Sequence, residues 1–177
     1  MKRNKQIRLL ALIVATFAWP AMANSKCSTD EFRQFDFWLG NWQVINETTG
    51  AANSSNAASM SKISKILGGC SILEEYQTAN GFRGKSLNIF NAQTQSWHQT
   101  WVDNSGLLLQ LEGKFVDGVM VLMGEVIDKD GKAVEQKISW QALDNGDVRQ
   151  IWAQRDIDGK WQVLFNGRYV KADVKNP

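Results

Sequence analysis

Short runs in which apolar and polar residues alternate recur along most of the chain, each closed by a turn signal. The period-two pattern covers 41–47, 62–67, 70–77, 84–90, 96–103, 106–112, 119–127, 133–141, 147–155 and 160–170. The breaks are Gly68-Gly69, Asn80-Gly81, Asn104-Ser105-Gly106, Asp117-Gly118, Asp130-Gly131, Asn145-Gly146 and Asp158-Gly159, residues that supply the positive φ angles of tight hairpins. No proline lies between Pro20 and Pro177, and no helical period interrupts the series. Evenly spaced strands joined by hairpins predict an all-β fold. Because every connection but the first is short, an up-and-down antiparallel barrel of about 8–10 strands is favoured over a Greek key.

Two stretches near the start depart from this pattern. Ser28 followed by Glu31 matches a capping box, Phe32, Phe35 and Leu39 fall at helical spacing, and Gly40 supplies a stop. This predicts one short helix over Thr29–Trp38, too short to stand alone, whose aromatic face must close one end of the barrel. Thr48 to Ser61 is rich in Gly, Ala, Asn and Ser, with Met60 its only large apolar residue. It predicts a long loop, for which a lid over a cavity at the opposite end is one use.

Alternation also assigns the faces. Trp97, Gln99 and Trp101 point inward, as do Gln150 and Trp152. Lys85 seeks solvent, which turns Ser86, Asn88 and Phe90 inward and leaves Leu87 and Ile89 outside. Leu107, Leu109 and Leu111 form an inner row, and Ile72, Glu74 and Tyr76 another. Such an interior mixes large aromatics with amides, hydroxyls and a carboxylate. Each buried polar group left unpaired costs on the order of 1–3 kcal/mol. Either these groups satisfy one another inside a filled barrel, or they line a cavity and meet a ligand.

Composition sets the setting. Lys2, Arg3, Lys5 and Arg8 precede an apolar run from Leu9 to Trp19, and Ala21-Met22-Ala23 follows. This is the pattern of an export signal at residues 1–23, cut after Ala23, with a single barrel domain over 24–177 and a periplasmic or secreted destination. The run is too short to span a bilayer, so no membrane association is expected after cleavage. Removing four of the 20 Lys and Arg leaves 16 against 18 acids, a net charge of −2 with no basic cluster, which argues against a nucleic-acid partner. The two cysteines, Cys27 and Cys70, are expected to form a disulfide in an oxidising compartment; two buried thiols are the alternative. Two Cys and one His are too few for a closed structural metal site, and no metal is expected.

Catalytic patterns are weak. His98 is the only histidine and falls on the outward face of its strand. Glu74 and Glu75 are adjacent in a strand and so point to opposite faces. Asp128-x-Asp130-Gly131 and Asp156-x-Asp158-Gly159 resemble calcium-loop fragments, but Ser139 and Gly167 stand where the closing Glu belongs, so hairpin turns explain them better.

Gly40-x-Trp42 opening the first strand after a short helix resembles the lipocalins and the wider calycin group. There that Trp packs at the closed end of the barrel, often against an Arg from near the last strand. The resemblance implies structural roles for Gly40, Trp42 and Arg168, with Arg149 as runner-up. Phe35-Asp36-Phe37-Trp38-Leu39-Gly40-x-Trp42, Ser86-x-Asn88, Trp97-x-Gln99-x-Trp101-Val102-Asp103, Val148-Arg149-Gln150 and Asp158-Gly159-Lys160-Trp161 are similar to an uncharacterised family of bacterial lipocalin-like proteins. That resemblance implies a fold and a class, not a reaction. The nitrobindins share a Leu-Gly-x-Trp start and bind haem through a C-terminal His; no His lies in that region here, so haem is disfavoured and no cofactor is expected.

The expectation is an exported binding protein or carrier for a small, partly apolar molecule. Its ligand set is Glu74, Tyr76, Ser86, Asn88, Trp97, Gln99, Trp101, Gln150 and Trp152. The alternatives are an isomerase or hydrolase using Glu74, His98 or Arg149 in the cavity, and an interaction module docking through Leu87, Ile89 and Ile151. Oligomeric state stays open, a dimer included.

Overall fold

The structure, a computed structural model, describes residues 27–48 and 59–172. The expected export signal and most of the 48–61 loop lie outside the described residues. Ten strands follow one another: β1 (Gly40–Asn46), β2 (Ser59–Ile66), β3 (Ser71–Gln77), β4 (Arg83–Asn91), β5 (Ser96–Asp103), β6 (Leu108–Val116), β7 (Val119–Ile127), β8 (Ala133–Ala142), β9 (Val148–Arg155) and β10 (Trp161–Lys171). Each pairs antiparallel with the next, and β1 closes on β10. The closed antiparallel meander expected from the hairpin spacing is the fold. Closure satisfies every strand edge from within the sheet. One irregularity interrupts it, a register shift in β10 between Val163 and Phe165.

The N-terminal helix differs from expectation. It is two 3₁₀ turns, Asp30–Arg33 and Asp36–Trp38, rather than one helix from Thr29 to Trp38. Thr29, not Ser28, is the N-cap, and it makes no side-chain cap bond; its hydroxyl instead donates to Glu31 Oε2 at 2.5 Å. The buried aromatics are Phe32, Phe35 and Trp38, spaced by three. Residues three apart eclipse on one face of a 3₁₀ helix, so burying this set selects the tighter winding.

This segment plugs one end of the barrel. Phe35 stacks on Trp38 at 4.9 Å between centroids and meets Trp97 and Trp140 edge-on at 5.6 and 5.2 Å. Trp42 donates its indole N–H to the Trp38 carbonyl at 2.8 Å. The cation over Trp42 is Lys171, whose Nζ sits 3.6 Å from the ring centroid and donates to the Leu39 carbonyl at 3.0 Å. Arg168, the residue implied by resemblance, is elsewhere. Tyr169 points inward, so Arg168 lies on the outer face, paired with Glu47 at 2.7 Å and Asp147 at 3.2 Å. Gly40 has φ +141°, a backbone conformation that L side chains rarely adopt, so the conformation requires glycine; the atom a Cβ would crowd, Lys171 Nζ at 2.6 Å, is the movable tip of its side chain.

Cys27 and Cys70 form the expected disulfide, tying the leader to the turn after β2. Asp36 adds an ion pair to Lys65 at 2.6 Å. The plug is thus held by aromatic packing, one covalent link and a cation–π contact.

Truncating the fully buried Trp42 is expected to cost about 3–5 kcal/mol. At roughly 2–4 °C per kcal/mol for a domain of this size, Trp42→Ala should melt about 6–20 °C below wild type, as read by circular dichroism. Reducing the disulfide should cost about 4 kcal/mol on the loop-entropy model. A Trp42→Ala variant as stable as wild type would show that Trp42 does not seat the plug.

Candidate functional site

The plug fills only part of the barrel. Toward the opposite end lies a cavity of about 230 Å³. Its aromatic and aliphatic walls are Tyr76, Phe82, Trp101, Leu109, Ile138, Trp152, Leu164 and Phe165, and its polar groups are Glu74, Gln99, Asp103, Gln150 and Tyr169.

Inward glycines shape those walls. The Trp101 indole lies across Gly84 on the neighbouring strand, and the Phe165 ring lies across Gly167, at distances that leave no room for a Cβ. Each ring is thereby laid against the barrel wall. The register shift in β10 brings Phe165 opposite Trp152, so both face the cavity.

Glu74 is the electrostatic centre. It is 2 % exposed and accepts hydrogen bonds from Ser61 at 2.9 Å, Ser86 at 3.0 Å and Tyr169 at 3.4 Å. The single Tyr169 hydroxyl hydrogen is shared, because Gln150 Oε1 is its nearer acceptor. The donor direction behind Ser86 is set by a backbone carbonyl. Asn88 must donate its Nδ2–H to the Ile72 carbonyl at 3.2 Å, so the same amide nitrogen gives its second hydrogen to Ser86 Oγ at 3.0 Å. That leaves Asn88 Oδ1 to accept from Gln99 at 2.7 Å. The chain Gln99–Asn88–Ser86–Glu74 therefore points its donors at the carboxylate.

Burial pushes the Glu74 pKa up to about 7, against the opposing pull of bonds from Ser61, Ser86 and Tyr169. Burial likewise raises Tyr169 well above the ordinary phenol value, with the Glu74 charge adding to it, and raises Tyr76. At the rim, burial alone would raise Asp103; bonds from Ser105, the Trp101 indole and backbone N–H groups outweigh it, and its pKa falls below the ordinary value.

Of the expected ligand residues, Glu74, Tyr76, Gln99, Trp101, Gln150 and Trp152 line the cavity. Ser86 and Asn88 stand behind it as the relay just described. Trp97 is in the filled half, donating its indole N–H to Gln34 at 3.0 Å. Tyr169, Phe82 and Phe165 were not among the expected residues. Strand alternation signals Tyr169 once Arg168 is placed outside.

The other chemical candidates do not converge. His98 lies on the outer face of β5 beside Thr100 and Glu112, at 2.9 and 3.5 Å. Arg149 is outside too, bonded to Glu47 at 3.2 Å. Asp128 and Asp156 cap their own hairpin turns through backbone N–H bonds. Leu87 and Ile89 are exposed on β4, but Ile151 is half-buried on distant β9, so the three form no single patch.

The closed ten-stranded meander fits a calycin-like fold with one end sealed and the other hollow. No family model matches the chain, and no curated protein is significantly similar to it. Among the described residues no helix is long and apolar enough to cross a membrane.

Because Glu74 is protonated more readily folded than unfolded, its contribution to stability is complete below the unfolded pKa, near 4.5, and is lost as pH rises through about 7. The loss amounts to about 3 kcal/mol. Glu74→Gln removes that dependence. Its melting temperature should gain on wild type between pH 5 and pH 8; a gap that is constant across this range would contradict the assignment.

Proposed function

We propose that the chain is an exported, lipocalin-like protein that binds a small, partly apolar molecule inside its barrel. The observation that carries this reading is the hollow half of the barrel, where aromatic walls converge on a few polar groups around Glu74. Small-molecule sites have this composition. At about 230 Å³ the space is below the roughly 300–1,000 Å³ of drug-sized sites, which favours a compact ligand. The basic segment and apolar run before Ala21-Met22-Ala23, together with the disulfide, support export. Carriage is preferred over isomerase or hydrolase chemistry because Glu74 alone of Glu74, His98 and Arg149 faces the cavity.

Ile138 lines the cavity at its buried wall, so Ile138→Phe fills part of it, at an overpacking cost of about 1–3 kcal/mol or less. Native mass spectrometry and tryptophan fluorescence over a metabolite panel should find one bound molecule per chain, quenching Trp101 and Trp152, and the folded Ile138→Phe variant should bind it at least tenfold more weakly. Undiminished binding by that variant would place the site elsewhere.

A further inference from the structure

Charge inside the barrel narrows the ligand class. Among the described residues, the carboxyl groups lining the cavity are Glu74 at its inner end and Asp103 at its rim, and no Lys, Arg or His lines it. Basic side chains of the neighbouring strands are engaged elsewhere: Lys85 pairs outside with Glu75, Lys65 with Asp36, Arg155 with Glu135, Arg149 and Arg168 with Glu47, and Lys171 is committed to Trp42 at the plug, while Lys62 and Arg83 line a separate pocket that Asp103 also borders. Among the described residues Glu74 thus meets only neutral donors, Ser61, Ser86 and the shared Tyr169 hydroxyl, and no counter-ion.

An anionic ligand entering this space would meet a carboxylate with no cation to offset it. A cation meets the reverse. Glu74 offers the missing partner for an ammonium group, with the Gln99 amide beside it on the cavity wall. Trp101, Trp152 and Phe165 offer aromatic faces, which attract cations through their quadrupoles. The Trp101 indole donates to Asp103 at 3.0 Å, so the rim acid and this ring are held together along the entry path. Desolvated pairs of this kind are strong when both charges find partners and costly when one is left alone, so the site discriminates by charge.

Resting on the binding role proposed above, we propose that the cavity takes a compact organic cation, a primary amine whose ammonium pairs with Glu74 and whose apolar body lies between Trp101, Trp152 and Phe165.

The pH dependence follows from what faces Glu74. Ser61 on β2, Ser86 on β4 and Gln150 on β9 do not titrate. Tyr76 on β3 and Tyr169 on β10 are raised and stay neutral near pH 7, and Asp103 on β5 is lowered and stays charged. His98 faces outward. Glu74 is therefore the cavity group that changes charge between pH 6 and pH 8, and an amine that is protonated throughout binds its ionised form.

Three probes of one skeleton test this by calorimetry: 2-phenylethylamine, 2-phenylethanol and 3-phenylpropanoate. The amine should bind tightest at pH 8, and its affinity should rise about tenfold from pH 6 to pH 8, following the ionised fraction of Glu74, while that of the alcohol stays level. Glu74→Gln should erase the preference for amine over alcohol; should that variant not fold, the pH profile of wild type carries the same information. If the alcohol or the carboxylate binds as tightly as the amine, and Ile138→Phe blocks it, the cation assignment is overturned and the binding role stands. Failure of the amine to bind also overturns the cation assignment. If the amine binds equally well to Ile138→Phe, both readings are overturned.

Discussion

Width is the constraint on which the rest of the structure depends. Closing ten strands makes an interior wider than eight strands do, and eight already suffice to hold one small ligand. Side chains from the strands alone do not fill such a space. The chain answers at one end only, by folding its leader back as two 3₁₀ turns and driving Phe35 and Trp38 into the barrel among Trp97, Trp140 and Trp42. Toward the other end the described residues leave a cavity of about 230 Å³. A filled half and a hollow half are consequences of one short plug in a wide barrel.

Packing and cavity are therefore divided along the barrel axis. At the plug, apolar burial is supplemented by the disulfide and by Lys171 over Trp42. Toward the other end, Glu74 is held out of water by the same closure, with neutral donors and, among the described residues, no cation. Burial of an uncompensated carboxyl works against folding once it ionises. The sealed half supplies the surplus that lets the hollow half keep a group of this kind. Even its aromatic walls need accommodation, since Trp101 and Phe165 lie flat only because Gly84 and Gly167 lack side chains.

Much of this was legible in the sequence because a barrel writes its topology locally. Hairpin turns and alternation are short-range signals, and they place Glu74, Gln99, Trp101, Gln150 and Trp152 on the inner face without any knowledge of distance. Three features resisted for definable reasons. The spacing Phe32, Phe35, Leu39 suits an α-helix, but burial selected Phe32, Phe35 and Trp38, a choice made by the barrel end and not by the segment. Trp97 and Trp101 share a face, yet one belongs to the plug and the other to the cavity, because alternation gives direction but not depth along the axis. Tyr169 was hidden by Arg168: placing the arginine beside Trp42 turns the tyrosine to solvent, since neighbours in a strand face opposite ways.

That last exchange shows how closely register controls the chemistry of the cavity. A slip of β10 by one residue would turn Tyr169 out and bring Arg168 in on the strand that supplies the hydroxyl to Glu74. The cavity would then hold its own counter-ion for Glu74. Three devices oppose the slip, and they act at different points along the strand. Lys171 is anchored on Trp42 and the Leu39 carbonyl at one end. Arg168 is clamped outside by Glu47 and Asp147 in the middle. The shift between Val163 and Phe165 resets the pairing at the other end and turns Phe165 toward Trp152. The ion pair of Arg168 is half-exposed and adds little stability by itself. Its larger consequence is negative: it keeps a guanidinium out of the barrel, and so leaves the Glu74 carboxyl without a charged partner from β10.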